Sequence, residues 1–102
     1  MHITKVVGGL RYDTAKAEEI CRLSKGRPGD WSTEETALYR TSKGAFFLAG
    51  EGGARSRWGK RVSDGLTGGE GLIPVTVEEA RDFAEENADA ETVEAFFEVE
   101  EA

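Results

Sequence analysis

The residues best suited to binding chemistry lie in the stretch FFLAGEGGARSRWGK, residues 46–60, and in the arginine that follows it. Four cations flank one tryptophan within residues 55–61, as in segments that follow a phosphate backbone while an aromatic ring stacks on a base. A glutamate between glycines precedes them, where glycine lets the backbone present its N–H groups outward. These features predict a loop that binds a partner or nucleic acid through Glu51, Arg55, Arg57, Trp58, Lys60 and Arg61.

The same stretch also has a purely structural interpretation, which the sequence leaves open. Short glycine-rich segments commonly form bulges or strand ends, and Glu51 would then pair with one of the arginines. Arg57 would pack on Trp58, and the other cations would balance the acidic C-terminal segment. The segment GEGGAR also lacks the glycine spacing and the following Lys-Ser/Thr of a P-loop.

A second candidate surface is a series of carboxylates near the C-terminus. Residues 1–77 contain 12 Lys/Arg and 9 Asp/Glu, a net charge of +3, whereas residues 78–102 contain one Arg and 11 acids, a net charge of −10. Such a row can imitate nucleic-acid phosphates and occupy a basic groove, although a solvated helix face that only aids solubility has the same pattern. The predicted partner-binding acidic face comprises Glu78, Glu79, Asp82, Glu85, Glu86 and Asp89.

The composition argues against catalysis and against metal or cofactor binding. The chain has one histidine, His2, and one cysteine, Cys21, which removes most zinc sites and nucleophile–histidine pairs. Nothing in the sequence sets two of its many acids inside an apolar cleft, as glycoside hydrolysis requires. Cys21 is predicted to be a core thiol beside Ile20 and Leu23. We therefore predict no enzyme activity, no catalytic residue, no metal ligand, no cofactor and no small-molecule substrate.

The elements that must position these residues follow from turn residues and periodicity. Residues 3–13 predict a hairpin with a Gly8-Gly9 turn, and residues 13–25 predict a helix from their apolar spacing. Residues 32–35 have the form of a capping box, but TALYRT and AFFLAG favour a second hairpin. LIPV, residues 72–75, predicts a short strand, and the capping box at Thr76 predicts a helix, followed by another from about Ala90.

The predicted fold class is therefore α+β, as one domain over residues 1–102. Its elements are an N-terminal β-hairpin, a helix, a second antiparallel hairpin plus a short strand, and two C-terminal helices. Alternation in AFFLAG places Phe46 and Leu48 on one sheet face and Phe47 on the other, where Phe47 is either covered or exposed as an anchor. The sequence shows no membrane-spanning run and no signal peptide, so we expect a cytoplasmic protein that does not contact membranes.

Three segments also carry a resemblance to a known family: LRYDTAKAEEI, EETALYRTSKGAFFLAGEGGARSRW and GGEGLIPVTVEEARDFAEE. In this order and spacing they resemble small proteins of unassigned activity from prophages and mobile elements of anaerobic and actinobacterial hosts, from about Arg11 to Glu86. The resemblance implies an accessory protein that binds a host protein or ribonucleoprotein complex, as inhibitors of CRISPR effectors do. The Gly-Lys-Arg after Trp58 departs from the family pattern, so any phosphate binding by Lys60 and Arg61 would be particular to this chain.

Two functions follow as expectations. The first is non-catalytic binding and inhibition of a host macromolecular complex, with the acidic face imitating nucleic acid. The alternative is direct binding of RNA or single-stranded DNA by residues 55–61. The net charge of −7 disfavours this alternative, because it opposes nonspecific attraction to phosphates.

Overall fold

The computed structural model describes residues 1–27 and 29–102. Eight strands and two α-helices lie within these residues. The strands are β1 Thr4–Val7, β2 Leu10–Asp13, β3 Glu18–Lys25, β4 Glu34–Arg40, β5 Phe46–Gly52, β6 Lys60–Val62, β7 Gly65–Thr67 and β8 Gly69–Val75. The helices are α1 Val77–Asn87 and α2 Ala90–Phe96, and a short 3-10 helix at Thr14–Lys16 precedes β3.

The predicted arrangement of helices and strands is wrong, because the protein is mostly sheet. Strands make up 43% of it and helices 21%, and the strands form three separate sheets. The first predicted helix is instead the strand β3, preceded by a single 3-10 turn. The register of β3 against β4 shifts between Glu19 and Cys21, so Ile20, Cys21 and Leu23 all pack against one core cluster. A β-bulge thus produces the spacing that resembles an amphipathic helix.

Several local predictions are confirmed. The first hairpin turns at Gly8 and Gly9, whose φ angles of 60° and 81° are open to glycine. The second hairpin pairs β4 with β5. At the start of α1, Thr76 forms the predicted capping box with Glu79, because each side chain accepts a hydrogen bond from the other residue's backbone N–H. The second C-terminal helix begins at Ala90.

The central sheet is antiparallel, with the strand order β3-β4-β5-β8. Its two faces are covered by different parts of the chain. The helices α1 and α2 cover one face, where Leu38, Leu48 and Phe83 belong to the core. The N-terminal hairpin covers the other face, where Tyr12 packs with Phe47 and Leu72. Alternation along each strand supplies apolar side chains to both layers.

Phe47 is fully buried, so the alternative in which it is an exposed anchor is excluded. Its ring stacks on Tyr39 at 5.0 Å between centroids and meets Tyr12 edge-on at 5.5 Å. The small hairpin β6–β7 lies outside the central sheet, and all six of its strand residues are exposed. No helix among the described residues is long and apolar enough to cross a membrane.

Candidate functional site

Residues 53–59 fold as a tightly bonded corner after β5. The N–H groups of Gly53 and Arg55 donate to the carbonyls of Thr33 and Trp31, each at 2.8 Å. The N–H of Ser56 donates to the carbonyl of Gly53 at 3.0 Å. Since these donors are used within the molecule, they are not available to cradle an anion, as the predicted binding loop would require.

Trp58 is buried beneath this corner and is only 5% exposed. Its ring lies against the sheet at two glycines. A Cβ added at Gly50 would lie 2.5 Å from Nε1 of Trp58, and a Cβ added at Gly71 would lie 2.8 Å from Cε3 of the same ring. Its indole Nε1 donates to the hydroxyl of Thr36 at 2.9 Å. The predicted stacking of Trp58 on a nucleic-acid base is therefore incompatible with this structure.

A buried carboxylate organises the polar side of this core. The side chain of Glu34 is 2% exposed and accepts a hydrogen bond from the Thr36 hydroxyl at 2.6 Å. The Nε of Arg57 lies 3.2 Å from the same carboxylate, and its guanidinium lies 5.7 Å from the Phe83 ring centroid on α1. Arg57 thus compensates a buried charge, which is costly when unpaired. We call Glu34, Thr36, Arg57 and Trp58 the Glu34 network.

The other predicted cations also lie at the surface, and one of them lies over a different aromatic residue. Arg55, Lys60 and Arg61 are exposed, and the guanidinium carbon of Arg55 lies 5.4 Å from the ring centroid of Trp31. Trp31 is 64% exposed and lines, with Leu66, a shallow depression of about 510 Å³. The basic run around Trp58 did not indicate Trp31 as the exposed aromatic residue, although the turn residues around Trp31 already predicted a loop there.

Glu51 lies in regular pairing, not at a bulge. Its Cα partners are Glu35 on β4 and Glu70 on β8, so three carboxylates stand side by side on one face of the sheet. Arg22 pairs with Glu35 at 3.3 Å, whereas no ion pair within the described residues includes Glu51. The predicted pairing of Glu51 with an arginine of the loop is wrong. Only the strand register reveals this row of acids, because its members are 16 or more positions apart.

All six residues of the predicted acidic face are exposed. Two of them hold helix ends: Glu79 in the capping box, and Asp89, which accepts a hydrogen bond from the Thr92 N–H at 2.9 Å. Hydrogen bonds from Thr92 lower the pKa of Asp89. In every ion pair among the described residues, the acidic partner is Glu35 or a residue that precedes it in the sequence. The cations of residues 55–61 therefore form no ion pairs with the acidic face.

The thiol of Cys21 and the imidazole of His2 both lie in surroundings that fit a role in the fold. Burial raises the pKa of Cys21 to about 11, so the thiol is protonated at neutral pH and is a weak nucleophile. The ring nitrogen Nε2 of His2 lies 2.9 Å from the carboxylate of Asp13, which also accepts from Arg11. Across residues 1–27 and 29–102, no group of three or more His, Cys, Asp or Glu side chains is arranged to hold a metal ion.

Comparison with known proteins gives no match to this chain among protein-family models, curated proteins or solved structures.

Proposed function

We propose that this chain is a non-catalytic accessory protein that binds a host macromolecular complex through its acidic face and inhibits that complex. The observation that carries this proposal is the unpaired state of the acidic face. In the described part of the chain, no Lys or Arg forms an ion pair with Glu78, Asp82, Glu85 or Glu86. Carboxylates that have no partner within the molecule can attract cations of a second molecule.

The rigidity of the helix that bears these acids also supports the proposal. Glu78, Asp82 and Glu85 follow one side of α1, and a four-residue step along a helix advances about 6 Å. The opposite side of α1 is anchored, since Ala80, Phe83 and Ala84 are buried. A preformed array of charges loses little conformational entropy on binding, which favours affinity.

The kind of partner follows from charge and from the resemblance to mobile-element proteins. A row of carboxylates fits a groove that normally holds nucleic-acid phosphates, and such binding weakens as salt rises. The resemblance makes a CRISPR effector one candidate partner, and that step is analogy alone.

A pull-down of the tagged protein from host lysate, with and without nuclease, tests the proposal. We expect a protein complex that survives nuclease and that is lost when Glu78, Asp82 and Glu85 are changed together to lysine. Glu79 and Asp89 stay unchanged because they cap helices. A matched control reverses the exposed acids Glu18, Asp64 and Glu70, which changes the net charge equally. Retention of the partner by the α1 variant would refute the acidic-face mechanism.

Direct binding of RNA or single-stranded DNA is the second candidate, favoured by the exposed Trp31 with the guanidinium of Arg55 over its ring. Lys60 and Arg61 add two exposed cations on β6. If this function holds, the pull-down recovers nucleic acid without a stoichiometric protein. That recovery should be lost when Trp31 is changed to alanine and the three cations to glutamine, because stacking and phosphate contacts would both be removed.

A further inference from the structure

Arg81 has an unusual environment in this molecule. It is the one cation among the eleven acids of residues 78–102. On a helix, residues three and four positions away are neighbours, and Glu78 and Glu85 occupy those positions. Nevertheless, none of the ion pairs among the described residues includes Arg81. Its guanidinium instead lies over the ring of Phe97, 5.9 Å from the centroid.

The Nε of Arg81 is buried without a hydrogen-bond partner. Unsatisfied buried donors are rare, and a donor on a charged group is costly to leave unbonded. The nitrogen therefore requires an acceptor that the described protein atoms do not supply.

This side chain lines a cavity of about 350 Å³ between α1, the end of β4 and the C-terminal end of α2. A second arginine, Arg40, lines the same cavity, and no ion pair within residues 1–27 and 29–102 includes it either. Phe46, Phe96 and Phe97 supply apolar walls, and Glu98 is the one acid in the lining. The net charge of the lining is +1, in a protein whose net charge is −7.

We propose that this cavity binds a small organic anion, in which a carboxylate or phosphate group meets Arg81 and Arg40 and an apolar body rests on the phenylalanines. Guanidinium groups present planar pairs of donors that match the oxygens of both anions. The cavity volume is in the range of small-ligand sites, which combine apolar walls with a few polar groups. The anion would supply the acceptor that Arg81 Nε lacks once the guanidinium turns toward the cavity, since this nitrogen is buried in the structure.

Titration of the ¹⁵N-labelled protein with benzoate, phenyl phosphate and inorganic phosphate tests this proposal by following the Arg81 Nε–Hε resonance. We expect a saturable shift with at least one aromatic anion, and a weaker one with inorganic phosphate, which lacks the apolar body. The difference between benzoate and phenyl phosphate identifies the preferred anionic group. The neutral analogue benzyl alcohol should not shift this resonance, because it brings no charge to the guanidinium.

Three variants complete the test. Arg81→Lys keeps the charge but loses the planar fork and Nε, and should weaken binding about tenfold, as followed in this variant and in the original protein by the backbone N–H resonances of Gly44 and Phe46 in the lining. The matched control Arg61→Lys changes an exposed cation on β6 and should leave binding unchanged. Glu98→Gln removes the acid of the lining and should leave the Arg81 resonance of the free protein in place.

Three results would overturn the proposal. These are the absence of saturable shifts with every anion, equal binding by Arg81→Lys and the original protein, and a large shift of the free Arg81 resonance in Glu98→Gln. The last result would mean that Glu98 already supplies the acceptor in solution. Because none of these measurements uses the macromolecular partner, they are independent of the pull-down.

Discussion

Replacing Thr36 by valine tests whether the Glu34 network stabilises the fold. Thr36 is fully buried, and its hydroxyl accepts from Trp58 Nε1 and donates to the Glu34 carboxylate. Valine has nearly the same shape but no hydroxyl. The substitution therefore leaves the indole N–H without an acceptor and removes one donor from a buried carboxylate.

The expected cost is the sum of these two losses. An unsatisfied buried donor costs about 1–3 kcal/mol, and a hydrogen bond to a charged group contributes about 1.5–3 kcal/mol. We expect Thr36→Val to lower the free energy of unfolding by about 3 kcal/mol, because Arg57 still compensates the carboxylate. The control Thr36→Ser keeps the hydroxyl and loses one methyl group, at a cost of about 1 kcal/mol.

Urea denaturation monitored by far-UV circular dichroism measures both variants. With a slope of about 1.5 kcal/mol per molar, Thr36→Val should lower the midpoint by about 2 M. In a Trp58→Phe background no indole N–H remains, so the same valine substitution should cost about 1–3 kcal/mol less. A valine variant as stable as the serine variant, or no coupling to residue 58, would refute this account of the network.

Three further predictions concern other parts of the molecule. Gly71→Ala should reduce stability by about 1–3 kcal/mol in the same denaturation assay, because its Cβ would lie 2.8 Å from Cε3 of Trp58; unchanged stability would contradict the close packing. Cys21, whose pKa is raised from 9.0 to about 11, should show about 100-fold less thiolate at pH 8. Its alkylation by iodoacetamide should then be much slower in the native protein than in urea. The hydrogen bond from the Ala15 N–H lowers the pKa of Asp13 below 3.8. The ionised Asp13 therefore contributes to the stability of the fold above pH 3.8, and this contribution is lost as the pH falls through the pKa of the folded state. Asp13→Asn should lose less stability than the original protein between pH 5 and pH 2; equal losses would contradict this role.

The sequence indicated which side chains are exposed for one of the two candidate surfaces but not for the other, for physical reasons. The acidic face lies on exposed helix surfaces as expected, because outward carboxylates and a capping box are local properties of residues 76–89. The loop at 55–61 differs, since its tryptophan is in the core and one of its arginines serves the Glu34 carboxylate. A basic run around an aromatic residue does not indicate which of its side chains the rest of the chain will bury.

The sequence by itself determined the features whose causes lie within a few residues. Gly8-Gly9 fixes the first hairpin turn because both residues need positive φ, and Thr76 fixes the start of α1 through its capping box. The tertiary structure decided that residues 18–25 form the strand β3, because β4 supplies the hydrogen bonds of this segment. The bulge in β3 gives its apolar residues a spacing that resembles that of a helix. The tertiary structure also decided the burial of Trp58, which requires two glycines and a threonine from three different strands to meet beneath one ring. Such contacts join residues far apart in the chain, so only the folded sheet brings them together.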